Sequence, residues 1–323
     1  MMANRLNDRW DAIAADPLHA VFQLFDACHP LDFYLGKDNE KHKLLLLVTP
    51  EEPPAIRDMR AIRIRSFKRD DGKWSLLLVL DSAGLSPMFS MLCEDLIESS
   101  RNTGLPAGQS LGYVLRRLSN WRQLLERGLP DLLSENEVRG LCGELLTLKR
   151  LFIHVGKSDA VRAWVGPKGA DQDFQTHNAA WEVKTIHPGA TSVTISSESQ
   201  LQTTSRTLFL VVIELAESGH NAPDSFSLNT LVEDIRTSLS DDPDSRDIFE
   251  NTLISAKYVS RSEYSIPSLS ERLLQLFSVH GDFPRITGNQ ISIGLSHVKY
   301  ELSLNACEKF RLNSISLDSR RAT

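Results

Sequence analysis

The 323-residue sequence predicts an α/β protein, and three observations carry that prediction. Two apolar runs, LLLLV at 44–48 and LFLVVIEL at 208–215, have the length of buried strands and are far too short to span a membrane. Between them lies a strong helix signature. Ser134 with Glu137 three residues on forms a capping box, and Val138, Leu141, Leu145, Leu148 and Phe152 then recur at helical spacing. Around these anchors, strand and helix patterns alternate through the chain.

The N-terminal part reads as an opening helix followed by strands at 43–48, 61–67 and 74–80. Asp71-Gly72 lies between the last two and predicts a hairpin. An apolar-rich helix at 86–98 packs on that sheet. The Gly/Pro/Asn/Ser cluster at 99–110 is the best linker, which suggests a domain at 1–110 and another at 111–323. A helix at 111–127 follows, ended by Gly128-Leu129-Pro130, and then the capped helix from Ser134, stopped at Gly156. Next come strands at 171–176, 181–186 and 192–195, a short helix from Ser197 and a buried strand at 208–215. The order over 134–215 is therefore α, β, β, β, α, β. Farther on, 227–239 reads as a helix, the acidic stretch 241–244 as a solvated loop, 270–278 as a helix and 290–304 as a terminal hairpin.

Composition narrows the function classes. With 41% hydrophobic and 24% charged residues the chain is globular, and 323 residues suffice for two modest domains. The net charge of −6 exerts no global pull on nucleic acid, so such a partner needs a local basic surface or metal ions. The four cysteines form no CxxC pair, which signals neither a zinc site nor a disulfide framework. No secretory leader or membrane span is read, so the expected location is cytoplasmic, without a membrane partner. Walker A, GxGxxG and GxSxG contexts are absent.

The chemistry concentrates in Trp181-Glu182-Val183-Lys184-Thr185. On a strand, residues two apart share a face, so Glu182 and Lys184 point together. Asp173 lies nine residues before Glu182, and a hairpin with a short turn brings the two carboxylates side by side. Adjacent carboxylates repel unless a cation lies between them, and hard oxygen ligands suit magnesium or manganese.

GELLTL at 143–148, DF at 173–174, WEVKT at 181–185 and ISSESQL at 195–201, in that order, resemble the PD-(D/E)XK nuclease superfamily. The chain further resembles a family of bacterial proteins named for that motif and linked to phage-defence loci. The resemblance implies a mixed-sheet, restriction-endonuclease-like αβββαβ core with an N-terminal α/β domain and C-terminal additions. It implies a metal-dependent endonuclease that hydrolyses phosphodiesters in DNA in a defence or restriction-type role. Asp173, Glu182 and the Val183 carbonyl would bind Mg2+ or Mn2+, and Glu144 would assist from the helix. Lys184 would orient or help deprotonate the attacking water. Gln200 corresponds to a glutamine that contacts nucleic acid in some members, and other defence proteins or a second copy are further implied partners. The superfamily's proline is replaced by Gln172, so Asp171 rivals Asp173 as ligand, and Phe174 favours Asp173 by giving its strand an apolar anchor.

Other readings stand beside this one. Glu182 and Lys184 on an arbitrary strand would form an ordinary surface ion pair, and Glu144 alone would be a solvated helix residue. His177 and His187 lie at strand ends and receive no role, while Cys142 reads as packing. Gly140 and Gly143 would let the helix approach the sheet closely. The stretch 57–73 carries seven cations against three aspartates, with Arg63 and Arg65 on one strand face, and serves either as a phosphate-holding surface or as a plain solvent face. The alternative function is a catalytically silent nuclease-fold subunit, acting in DNA binding or protein interaction within a defence complex.

Overall fold

The structure, a computed structural model, describes residues 2–59, 61–101, 107–127, 131–202, 205–219 and 222–312. The chain divides into two compact units, one comprising 1–131 with 260–262 and the other 132–259 with 263–323. The division falls after Asp131 rather than near residue 110, and the helix expected at 111–127 belongs to the first unit. Residues 102–106 of the expected linker and the Gly128–Pro130 stop lie outside the described residues.

In the first unit, α1 (Met2–Ala12) precedes the strands β1 (Val21–Leu24), β2 (Asp32–Lys37), β3 (Lys43–Thr49), β4 (Ile62–Lys68) and β5 (Trp74–Leu80). They form one antiparallel sheet in the order β1-β2-β3-β5-β4. The β4–β5 hairpin closes through Gly72, whose φ of 82° is the left-handed geometry that an Asp-Gly turn supplies. The strands β1 and β2 were not read from sequence, since β1 is half exposed and carries no clean alternation. Leu6 and Trp10 on α1 and Ile13 just past its end recur at +4 and +3 and are buried, and the Trp10 indole donates to the Leu44 carbonyl at 3.0 Å. The unit ends in α2 (Ser86–Arg101) and α3 (Ala107–Arg127).

The second unit opens with α4 (Glu135–Val155), whose Ser134 cap and Glu137 form the capping box expected from sequence. Then come α5 (Lys157–Ala163), β6 (Phe174–Gln175), β7 (Ala179–Ile186), β8 (Ser192–Ile195) and β9 (Thr207–Glu217). After these lie α6 (Leu228–Ser238), α7 (Pro243–Ser255), β10 (Leu269–Val279), β11 (Tyr300–Ser303) and α8 (Leu304–Cys307). The central sheet is mixed, in the order β10-β9-β7-β6, with β7 and β9 parallel and the other pairs antiparallel. The fold is α/β, as expected, but the third strand of the expected core, β8, pairs with β11 in a separate two-stranded sheet.

Three expectations downstream are corrected. The segment 270–278 is strand β10, not helix. Its Leu, Glu, Arg and Gln favour helix intrinsically, yet β9 offers a long apolar edge, and pairing from Leu269 to Val279 overrides that preference. The acidic stretch at 241–244 is a loop only as far as Asp242 and enters α7 at Pro243: the Asp242 side chain accepts from Ser245 N at 3.1 Å, and Pro243 loses no hydrogen bond at the first helical position. No hairpin forms at 290–304, because Tyr300–Ser303 pairs with β8 instead.

One side of the central sheet takes Trp181, Val183, Phe209, Val211 and Ile213 into a core with α4, and the other takes Ala180, Ile186, Leu208, Leu210 and Val212. The Arg139 guanidinium on α4 donates to the Leu215 and Ile186 carbonyls, which ties the helix to the ends of β9 and β7. The helix lies so close to β7 that a Cβ on Gly143 would stand 2.4 Å from Thr185 Cγ2, whereas one on Gly140 would meet nothing within 4 Å. The two glycines therefore separate by substitution. Gly143→Val should cost about 1–3 kcal/mol in chemical denaturation through overpacking. Gly140→Ala should gain about 0.5–1 kcal/mol by removing helix-interior glycine entropy. A Gly143→Val chain as stable as the parent would mean that the helix does not rest on β7 as described.

Candidate active site

The strand β7 has two kinds of edge along its length. Its pairing with β9 runs from Ala179 to Ile186, but on the other side β6 covers only Ala180 and Trp181. Past Trp181, Asp173 replaces the missing ladder partner, its Oδ2 accepting from Val183 N at 2.8 Å. Asp173 is itself gripped at the backbone, where its carbonyl accepts from Val165 N and Gly166 N, both at 2.9 Å. Gly166 leaves room for this: a Cβ there would stand 2.9 Å from Asp173 Cα. Asp173 lies in the bend just before β6, so its approach to Glu182 comes from the sheet edge and not from the strand parity assumed in the sequence reading.

Glu182 and Lys184 do share a face, the one that carries Ala180 and Ile186, and Lys184 Nζ stands 2.8 Å from Glu182 Oε1. Glu182 is only 1% exposed, and its second oxygen, Oε2, is buried with no hydrogen-bond partner among the described residues. A buried carboxylate oxygen left unpaired is costly, which marks this atom for a ligand. Lys184 Nζ also donates to Gln200 Oε1 at 3.2 Å, and the same oxygen accepts from Ser196 N at 2.8 Å. Gln200 thus meets Lys184 directly.

Glu144 projects from α4 and accepts from the Trp164 indole at 2.6 Å. Trp164 is fully buried, stacked on Phe174 with ring centroids 6.5 Å apart. Burial raises the Glu144 carboxyl well above the usual range, and the nearby Asp173 charge raises it further, while the Trp164 bond and Lys184 oppose this. Asp173 is also raised by burial, against the Val183 bond and Lys184. Glu182 is raised well above its range, first by burial, then by Asp173, with Lys184 as its main opposing influence. Three buried carboxyls, of which Asp173 raises the other two, and one lysine make an electrostatically strained group.

This donor set fits a hard divalent cation, since the orphaned Glu182 oxygen and the crowded negative charge are relieved by one. Among the described residues, no three acidic, histidine or cysteine side chains are already drawn into ligating positions around one point. Lys184 instead supplies the counter-charge to Glu182. At Val183 it is the N–H that meets the aspartate.

Asp171 is exposed and outside this group, as are His177 and His187. Cys142 is buried, its thiol pushed up to about 12 by burial, consistent with packing. In the first unit, Arg63 and Arg65 are each matched by a carboxylate, Asp81 at 2.6 Å and Asp58 at 2.9 Å, so the charge they offer a phosphate is offset. Arg60 of the same basic stretch lies outside the described residues.

Two residues of the site were missed in sequence. One is Trp164, which orients Glu144, and its only signal was that a buried indole needs an acceptor. The other is Gln172, at the superfamily's proline position. Its buried Nε2 donates to the Ser199 and Gln202 carbonyls at 2.9 and 3.1 Å and so holds the 3-10 turn Glu198–Leu201 that carries Gln200. Proline, with no side-chain donor, could not do this.

The raised Glu182 carboxyl has a stability consequence. A carboxyl raised in the folded state adds its full share of stability below the ordinary glutamate value of 4.5 and loses it as pH rises towards the folded value. Glu182→Gln should therefore gain thermal stability relative to the parent progressively from about pH 4.5 upward. Melting curves of both chains at pH 4 to 8 test this, and a constant difference across that range would contradict the burial effect.

Comparison with known proteins places the chain in one family. No curated protein matches it, and no solved structure matches it. The family DUF4420, described as "Putative PD-(D/E)XK family member", matches residues 6–305, which takes in the site and most of both units. The chain that brings Asp173, Glu182 and Lys184 together on this mixed sheet thus belongs to the DUF4420 family.

Proposed function

We propose that this chain is a nuclease that hydrolyses phosphodiester bonds in DNA with Mg2+ or Mn2+, and that Asp173, Glu182, Lys184 and Glu144 carry the reaction. The observation that supports this most is the buried, unpartnered Glu182 Oε2 beside two further carboxylates and a lysine. A structural ion pair would leave no oxygen orphaned, whereas a ligand set leaves one for its cation.

Asp173 and Glu182 would hold the cation, with Glu144 near them through its own charge and fixed by Trp164. The cation, when bound, offsets charge on the phosphoryl oxygens and makes a water a better nucleophile. Lys184, already suspended between Glu182 Oε1 and Gln200 Oε1, would face the attacking water and the charge that develops on phosphate. Gln172 would act through the turn that holds Gln200, as a positioning residue. The family membership supports a nuclease of this kind, and the sequence resemblance extends the reading to a defence or restriction-type role in bacteria.

Activity and metal affinity should separate at the lysine. Asp173→Ala removes an oxygen ligand and should weaken magnesium binding in calorimetric titration. Lys184→Ala removes a charge of the metal's own sign, so affinity should hold or rise while cleavage falls by about 10²–10³-fold, the usual cost of losing one stabilising donor. Nicking assays on plasmid with magnesium and manganese, run beside the titration, measure both. Equal cleavage by Lys184→Ala and the parent would remove the lysine from the mechanism. A parent that binds metal but cleaves nothing would favour the silent nuclease-fold subunit.

A further inference from the structure

The segment from Phe283 to Tyr300 has no role in the site as described, yet it is built onto it. Its two ends are pinned to the 3-10 turn Glu198–Leu201 and its flanking residue: Gly288 N donates to Gln202 Oε1 at 2.9 Å, and Val298 N donates to Glu198 Oε2 at 2.8 Å. The Arg285 guanidinium donates to the Leu201 carbonyl at 2.8 Å, and Ile286 N donates to the Tyr300 hydroxyl at 3.3 Å. The middle of that turn is Gln200, the partner of Lys184. The arm and the lysine therefore share one support. Tyr300, at the arm's root, feels the positive charge of both Arg285 and Lys184.

Between its roots the arm is solvent-exposed. Every residue from Gly288 to His297 except Ile291 is exposed, and the chain turns at Gly294 with φ of 93°. At the tip, Ile293 is fully exposed and Leu295 is 66% exposed. Isolated surface aliphatics are ordinary, but two of them two residues apart, on a segment clamped at both ends, form an exposed apolar edge that none of the described residues covers. Charge gives the occupant. In a protein of net charge −6, residues 283–300 hold Arg285, Lys299 and His297 and no carboxylate at all. The remainder of the tip is Thr287, Asn289, Gln290, Ser292 and Ser296, side chains that bond to phosphates and base edges. Apolar side chains on a cationic, hydrogen-bonding arm suit a nucleic-acid groove, where such residues wedge between base steps.

Resting on the nuclease reading, we propose that residues 285–299 form an arm that grips duplex DNA beside the catalytic centre, with Ile293 and Leu295 entering the groove and Arg285 and Lys299 holding the phosphate backbone. Through the shared turn, the arm sets the duplex against the lysine.

The test uses the full chain and a fluorescein-labelled DNA duplex, with affinity from anisotropy in calcium and steady-state cleavage in magnesium. The variants are Ile293→Ser with Leu295→Ser, Lys299→Gln, and Ile153→Ser as control. Ile153 is an aliphatic on α4 whose 82% exposure lies between those of Ile293 and Leu295, half a turn around the helix from Glu144. The double variant should bind about tenfold more weakly, with the loss appearing in KM rather than kcat. Lys299→Gln should lower the slope of log affinity against log salt by about 1. Ile153→Ser should behave as the parent. A double variant that binds and cleaves like the parent would overturn the arm while leaving the nuclease reading intact, as would an equal loss in Ile153→Ser. A parent that neither binds the duplex nor cleaves it would overturn the nuclease reading, and the arm with it.

Discussion

The burial of Glu182 organises the second unit of this protein. A carboxylate only 1% exposed, next to a second carboxylate and within the field of a third, is an arrangement that water would normally prevent. It persists because Lys184, two residues along the same strand, supplies one counter-charge and because the surrounding packing does not let the strand rotate away. Most of the elements described in the second unit serve to hold that strand. The long pairing of β7 with β9 fixes its twist and register, α4 covers its apolar face, and the short β6 leaves its edge free where Asp173 needs to enter.

The cost of this arrangement is met by rigid neighbours. Gly143 brings α4 within contact of Thr185 and Val183, so the helix that carries Glu144 cannot slide relative to β7. Arg139 locks its start to carbonyls at the ends of β7 and β9. Trp164, stacked on Phe174, fixes both the Glu144 carboxyl and the segment leading into Asp173. A constellation of like charges keeps its geometry only when its support is less compliant than the repulsion is strong, and a core of stacked aromatics and a close helix contact has that stiffness.

Gln172, where the superfamily motif has proline, shows how one position can support its surroundings by different means. A proline would restrict the backbone ahead of the aspartate through its ring. Gln172 instead acts at a distance of some thirty residues along the chain, bonding to carbonyls of the turn that presents Gln200. In this way the residue before Asp173 and the residue that meets Lys184 become parts of one hydrogen-bonded assembly. The segment 285–299 is bonded near both its ends to the same turn and its flanking residue, through Gly288 N to Gln202 Oε1 and Val298 N to Glu198 Oε2.

The amino-acid sequence by itself determined what depends on near neighbours. The Ser134–Glu137 box and the spacing of Val138 to Phe152 specified α4, Asp71-Gly72 specified the β4–β5 hairpin, and strand parity put Glu182 and Lys184 on one face. Each of these follows from bonds or side-chain directions within a few residues. The tertiary structure alone decided that Leu269–Val279 is a strand, because its partner β9 lies more than fifty residues earlier in the chain and only the folded sheet presents that edge. It likewise decided that Asp173 enters from a bend, that Trp164 holds Glu144, and that Gln172 supports the turn of Gln200. Each of these joins a polar group to a partner distant in sequence, and burial, which no local pattern records, is what forces the pairing.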